Sequence, residues 1–456
     1  MTPAARLAAA IEALQEVWAA SGADAPPADR VLDRYFRSRR YIGSKDRVAI
    51  AERVFGVLRR RARLDWWLAR EGIRSAASAR ARALADLMLA DGLTLEAAAS
   101  LFPGGQYAPQ PLAAEERALA ARLAGRPLEP PDMPAEVRAE CPAYLAERLH
   151  AVFGPRFAQE MTALNLTAPF DLRVNPLKAA GRDQALAALA QGGIEGQPTR
   201  LSPLGIRLDR RRPVDRMEAF RQGLIEVQDE GSQLVALVLG AKPGQKVLDW
   251  CAGAGGKTLA IAGAMANKGR LIACDVLPLR LKRAAERLKR AGAFNVETHV
   301  LGTAGDKWAK RHRGFFDRVL VDAPCSGSGT WRRNPDSRWR YGEADIERLV
   351  GLQAGILADA ARLVAPGGRL VYATCALLPE ENERQAENFL AAHPDFTLVP
   401  IGDAWRETIG TGCPVAGPYL ALTPAQHGTD GFFAAVFERA KPSKEPQRAQ
   451  RIHGGR

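Results

Sequence analysis

A doubly wound α/β fold, with a parallel sheet covered by helices on both faces, is predicted for the second half of the chain. Three observations carry this. Four short apolar strands, KVLDWCAG, GRLIACDV, FDRVLVDAP and GRLVYATC, recur from about Val227 onward. Each is followed by a stretch of helical character, the alternation that builds a parallel sheet buried on both sides. Glycines crowd behind the first strand, at Gly253, Gly255 and Gly256, where backbone can approach a ligand and a helix can start.

Ahead of that domain, residues 1–130 read as all-α. Apolar residues keep helical spacing in VLDRYFRSRR, DRVAIAERVFGVLRRRARLDWWL and ARALADLMLA. Basic residues gather between Arg30 and Arg70, where Arg37, Arg39, Arg40, Arg59, Arg60, Arg61 and Arg63 meet little acid. They form either a solvated helix face or a face for RNA. The Pro-rich run RPLEPPDMP, Arg126–Pro134, cannot continue a helix and ends this domain. Residues 135–225 give two helices, a strand at FDLRVNP, a helix at DQALAALAQ and a strand at GIRLDR, a small α+β module. The α/β domain takes 226–440, and 441–456, KPSKEPQRAQRIHGGR, is a basic tail without apolar periodicity.

With 456 residues, 47% of them hydrophobic and 25% charged, the chain can bury an ordinary core in several domains. It has no apolar run near the roughly 20 residues of a membrane span and no signal-peptide pattern at its start, so no membrane partner and a cytoplasmic location are expected. The six cysteines lie far apart with no C-x-x-C pair, which argues against a disulfide framework or a metal site and for reduced thiols. A net charge of +13 and a pI near 9.7 favour a polyanionic partner, although an Arg-rich soluble surface has the same composition.

The loop WCAGAGGKT could in principle hold several nucleotides. A phosphate-cradling G-x-x-x-x-G-K-T would need glycine where Cys251 stands, and a dinucleotide G-x-G-x-x-G would need it at Thr258. What remains is the shorter loop of a nucleoside site, with backbone from Cys251, Ala252, Gly253, Ala254, Gly255 and Gly256. Asp275, ending the next strand, suits the two ribose hydroxyls; taken alone it could equally be a helix N-cap. A methionine-linked adenosine fits best.

Two cysteines also follow strands, Cys325 in DAPCSG and Cys375 in ATCA, at the edge of the sheet where such folds bind ligands. Either alone reads as well as an inert buried thiol; together, with Asp322, they point to chemistry. C5 of cytosine is a poor nucleophile until a thiolate adds to C6, and an acid is then needed at the N3 and amine edge, for which Asp322 is the candidate.

The segments DWCAGAGGKT, LIACD, FDRVLVDAPCSGSGT, NPD, LVYATCALLPEENE and HGTDGFFAAVFER resemble the Sun/RsmB family of bacterial RNA cytosine-C5 methyltransferases, over about Arg173 to Arg439. The resemblance implies a Rossmann-like, S-adenosylmethionine-dependent methyltransferase domain behind an RRM-like module. It implies Cys375 as nucleophile, Cys325 in product release, Asp322 facing both cofactor and base, Lys257 reaching in from the glycine loop and Asp275 on the ribose. Arg173, Asn175 and Pro176 would touch RNA. Trp331, Arg332, Arg333 and Trp339 form a basic-aromatic loop that suits RNA stacking or, equally, core filling. GSKDRVAIAERVFGVLRRRARLDWWL resembles the NusB-like RNA-binding domain fused to the 16S ribosomal RNA member, so the expected partner is small-subunit ribosomal RNA and the expected state a monomer. The same chemistry on transfer RNA or another ribosomal cytosine, and an inactive RNA-binding scaffold, are the alternatives. The sequence departs from the family at Trp250 and Ala254, and HVLGTAGDKW lacks an acid at the family's spacing, which leaves Asp306 for the adenine side.

Overall fold

The computed structural model describes residues 1–20, 22, 25–73, 78–302, 307–410 and 412–441. The expected basic tail lies outside them, Lys441 excepted, and so does Asp306.

The amino-terminal region is helical: Pro3–Ala19, Ala28–Ser38, Ser44–Arg59, Arg61–Arg70, Ala79–Leu89, Leu95–Ser100 and Ala114–Leu123. Helix starts follow local chemistry. The Thr2, Ser78 and Thr94 hydroxyls each accept a hydrogen bond from the backbone N–H three residues on, satisfying a donor that the helix itself cannot. The apolar stripes close on one cluster that includes Leu14, Val31, Ile50, Val54, Leu68 and Leu84. The Pro-rich segment 126–134 contains neither helix nor strand.

Next come helices Ala143–Phe153 and Phe157–Asn165, then a four-stranded antiparallel sheet ordered β2-β3-β1-β4, with β1 Phe170–Val174, β2 Gly196–Pro198, β3 Gly205–Leu208 and β4 Ile225–Val227. Sequence patterning missed β2 and β4, which are only three residues long. β4 carries this sheet to Val227, across the expected division at 225/226.

The third region holds an eight-stranded sheet ordered β10-β12-β9-β8-β5-β6-β7, with β11 paired to β12. Its strands are β5 Lys246–Asp249, β6 Arg270–Asp275, β7 Val296–Val300, β8 Phe316–Asp322, β9 Val364–Thr374, β10 Phe396–Val399, β11 Leu420–Leu422 and β12 Phe432–Arg439. The four strands expected from sequence are the parallel centre, β9-β8-β5-β6. Alternate side chains feed separate cores: Leu248, Ile272, Val319, Val321, Leu370 and Tyr372 pack on one face, Val247, Leu271, Leu320, Val371 and Ala373 on the other. Each such burial contributes about 1.5–3 kcal/mol, which is why these strands read as unbroken apolar runs. β7 escaped that reading because its VETHV leaves side chains exposed at an edge. Among the described residues no helix is long and apolar enough to cross a membrane.

Candidate active site

β5 ends at Asp249, and the chain turns through Trp250–Gly255 into helix Gly256–Ala264. Gly253 and Gly255 adopt φ of +56° and +80°, where a side chain would be strained. A methyl on Gly255 would sit 2.9 Å from Ala284 Cβ; one on Gly253 would meet nothing within 4 Å, so the loop opens to free space there. The Ala252 N–H donates to the Cys274 carbonyl, and the Ala254 carbonyl accepts from Arg287 at 2.8 Å. The Trp250 ring is buried and stacks on Trp308 at 6.3 Å. Cys251 is a thiol pushed up by burial and by the nearby carboxylates Asp322, Asp249 and Asp275.

The N-cap of the helix that follows β6, Pro278–Ala291, is Leu277, and Asp275 ties two loops together at the end of β6. Its Oδ2 accepts from Gly253 N–H at 2.9 Å, tying down the glycine loop, and its Oδ1 accepts from Leu277 N–H at 2.8 Å at the start of the next helix. Each carboxylate oxygen keeps a second lone pair. Asp249 went unnoticed in the sequence because it reads as the end of a strand. It is fully buried, Oδ2 accepts from the Thr258 hydroxyl at 2.7 Å, and Oδ1 has no partner. Burial first, with the charge of Asp322, pushes its carboxyl up to about 7 despite the Thr258 hydrogen bond.

The expected catalytic residues converge. Lys257, in the first turn of its helix, donates from Nζ to Asp322 Oδ2 at 2.7 Å. Burial alone would lower that ammonium, but Asp322, Cys375 and Asp249 outweigh it and leave the group raised, hence charged. Cys325 Sγ lies 3.4 Å from Cys375 Sγ. The hydrogen bond with Cys375, then burial, then the charges of Cys375 and Glu381 hold Cys325 well above the ordinary thiol range, as a neutral S–H.

A layer of residues not singled out in the sequence fixes both cysteine loops. Buried Glu381 accepts from Ser326 N–H at 2.8 Å, the Ser326 hydroxyl at 2.5 Å and Gln353 at 3.0 Å. Asn382 brackets Cys375 by accepting from the Thr374 hydroxyl at 2.6 Å and donating to the Ala376 carbonyl at 3.0 Å. The Gly329 N–H donates to the Cys375 carbonyl at 2.9 Å, and a methyl on Gly329 would run into the Gly431 carbonyl at 2.4 Å. The polar run PEEN behind ATC was the available signal.

Known proteins resemble this chain over most of its length. The family described as 16S rRNA methyltransferase RsmB/F matches residues 236–438, and a ferredoxin-like domain of RsmF/B-like methyltransferases matches 141–215. The chain belongs to the RsmB/F family. A ribosomal RNA small subunit methyltransferase B from Sodalis glossinidius is 39% identical over 300 residues, 66% of each chain. A probable ribosomal RNA small subunit methyltransferase B from Synechocystis is 36% identical over 301 residues, 66% of this chain and 67% of its own. The match thus spans about two thirds of these relatives' length. The crystal structure of PH0851 aligns over 96% of this chain and 99% of its own, with a TM-score of 0.75 and 26% identity. A methyltransferase homolog from Pyrococcus horikoshii aligns over 67% of this chain and 97% of its own, with a TM-score of 0.58 and 29% identity.

The cofactor of this RsmB/F chain is S-adenosylmethionine. The residues present fit it: a glycine loop facing free space, an acid with spare lone pairs at the end of β6, and the unpartnered buried Asp249 Oδ1.

Several residues expected to meet RNA are instead buried joints. Arg173 donates to the Gly256 carbonyl at 2.8 Å and to Gln228, and burial pulls its guanidinium down to about 10. Asn175 donates to the Gly223 and Ala291 carbonyls, both at 2.8 Å, whereas Pro176 is exposed beside Gly263. Trp331 is core, and Arg332 and Arg333 pair with Asp430 and Asp229. Trp339 is half-buried under Arg61, 5.2 Å from its ring. The loop after Cys325 is therefore a seat for the rest of the chain: Arg332 O accepts from Arg59, Asp336 from Ala28 N–H at 3.1 Å, and Arg338 donates to the Glu140 and Leu164 carbonyls. Arg60 and Arg63 also face acids, Asp86 and Glu140; of the seven arginines named above Arg37 and Arg40 are exposed, and Arg30, Arg34, Lys45 and Arg70 are exposed in the same stretch.

Proposed function

We propose that the chain transfers a methyl group to C5 of a cytosine in small-subunit ribosomal RNA through a covalent bond from Cys375 to C6. The observation that carries this reading is the pair of thiols 3.4 Å apart at the ligand edge of the sheet, beside the Lys257–Asp322 pair. The names of the curated relatives support the substrate.

S-adenosylmethionine supplies an electrophilic methyl group. The residues of the chain make C5 able to take it. Lys257, paired with Asp322, brings positive charge toward Cys375, whose thiolate is the attacking form. As the S–C6 bond forms, electrons shift through C5 and C4 onto N3, which takes a proton from the Lys257–Asp322 pair, and that proton returns to the pair as C5 takes the methyl group. Once the C5–methyl bond has formed, a base takes the C5 proton, that C–H pair restores C5=C6, and Cys375 leaves as a thiolate. Cys325, held as a thiol against Cys375, is assigned to this release. Glu381 and Asn382 touch no reacting atom and act through the loops they hold.

Bisulfite sequencing of total RNA from cells with and without the gene tests the reading. Loss of one 5-methylcytosine in small-subunit ribosomal RNA is expected. A loss elsewhere would keep the chemistry and discard the target, and no loss anywhere would overturn both.

A further inference from the structure

Behind the two thiols a chain of hydrogen bonds joins the two cysteine loops. Leu377 N–H, two residues past Cys375, donates to Ser328 Oγ at 2.8 Å. Ser328 Oγ stands 3.1 Å from Ser326 Oγ, and the Ser326 hydroxyl reaches Glu381 Oε2 at 2.5 Å. A hydroxyl has one proton to give. With that of Ser326 committed to the carboxylate, the proton of Ser328 points at Ser326, and the chain is polarised from Leu377 toward Glu381. Every member of it is buried, Ser328 and Glu381 completely, so no water replaces a lost link. Burial pushes the Glu381 carboxyl up, and the hydrogen bonds from Ser326 and Gln353 oppose that shift.

We propose that Ser328 and Glu381 are positioning residues that set the spacing of Cys325 and Cys375 and thereby govern release of the methylated RNA. This rests on the two-thiol reading above. Neither residue meets substrate or cofactor. They act on the second half of the reaction, where Cys325 must stand beside Cys375 as Cys375 leaves C6. Polar links in a dry interior rigidify what they join, and a displacement of about 1 Å at a reacting group costs on the order of 100-fold.

The test compares wild type, Cys325→Ala, Ser328→Ala and Glu381→Gln on denaturing gels with labelled small-subunit RNA and S-adenosylmethionine, alongside cofactor affinity and melting temperature. For Ser328→Ala, turnover is expected to fall about tenfold while a covalent protein–RNA adduct accumulates and cofactor affinity stays within about twofold. Glu381→Gln keeps the shape and should show the same adduct to a lesser degree, which serves if Ser328→Ala folds poorly. A purely structural role would lower melting temperature and turnover together and leave no adduct. Adduct in Cys325→Ala but in neither of the other variants would overturn the spacing role alone. No adduct in Cys325→Ala would overturn the release role of that cysteine, and this proposal with it.

Discussion

The glycine loop after β5 and the cysteine loops after β8 and β9 share one edge of one sheet, yet they are held by different means. The glycine loop is fixed through its backbone: left-handed turns at Gly253 and Gly255, the Ala252 N–H on Cys274, and the Gly253 N–H on Asp275. The cysteine loops are fixed through side chains, Glu381, Gln353, Ser326, Ser328 and Asn382. Backbone anchoring leaves the peptide groups close to a ligand free of bulk. Side-chain anchoring sets a distance between two particular atoms.

Substitutions can separate the two halves. Cys375→Ala should cut turnover below about 1% of wild type, since loss of a nucleophile costs more than that, while calorimetric cofactor affinity stays within about twofold. Lys257→Met straddles both halves; removing a preorganised charge typically costs about 100-fold or more in rate, and single-turnover kinetics should show it with little change in RNA affinity. Gly255→Ala strains the turn and presses on Ala284, so cofactor Kd should rise roughly 10- to 100-fold, the equivalent of about 1–3 kcal/mol of strain, with the methylation rate at saturating cofactor largely kept. A larger loss in rate than in affinity would show that the glycine loop also places the reacting groups.

Asp249 gives a smaller, pH-dependent effect. Its carboxyl sits at about 7 in the folded chain, above the ordinary value of about 3.9. The folded state therefore holds a proton that the unfolded state gives up. Its stability contribution is full below pH of about 4 and is lost as pH rises through about 7. Melting of the cofactor-free protein should show this decline, and Asp249→Asn should flatten it. The smallest effect concerns RNA: Arg40→Ala should lower the salt slope of binding by about one unit, whereas Arg60→Ala, which breaks the pair with Asp86, should change melting temperature and not the slope. Equal slopes for both would place the RNA elsewhere.

What the sequence makes legible follows the same division. Gly253, Gly255, Asp275, Lys257, Asp322, Cys325 and Cys375 announce themselves because backbone freedom, a carboxylate at a strand end or a thiol in a loop is unusual in itself, and the structure gathers them. Glu381 and Ser328 stay hidden because their meaning lies in partners 55 and 49 positions away in the chain. Arginine misleads for the same reason. Arg173, Arg332 and Arg333 look like surface cations until Gln228, Asp430 and Asp229, distant in sequence, are seen to close over them. The parallel centre of the sheet was readable from apolar runs, while the short strands β2 and β4 and the polar edge β7 lacked the side chains that give a strand its signature.

The loop from Trp331 to Arg340 bears on how the protein melts. It buries an indole and a guanidinium, accepts Ala28 and Arg59 from the helical region, reaches the Glu140 and Leu164 carbonyls with Arg338, and meets Asp229 and Asp430 through Arg332 and Arg333. Pulling the helical region or the residues around Glu140 and Leu164 away would leave buried Asp336 or Arg338 short of hydrogen-bond partners, at about 1–3 kcal/mol for each unsatisfied group. Heat should therefore undo the three regions in a single calorimetric transition, with the amino-terminal helices surviving no longer than the sheet that carries the cysteines.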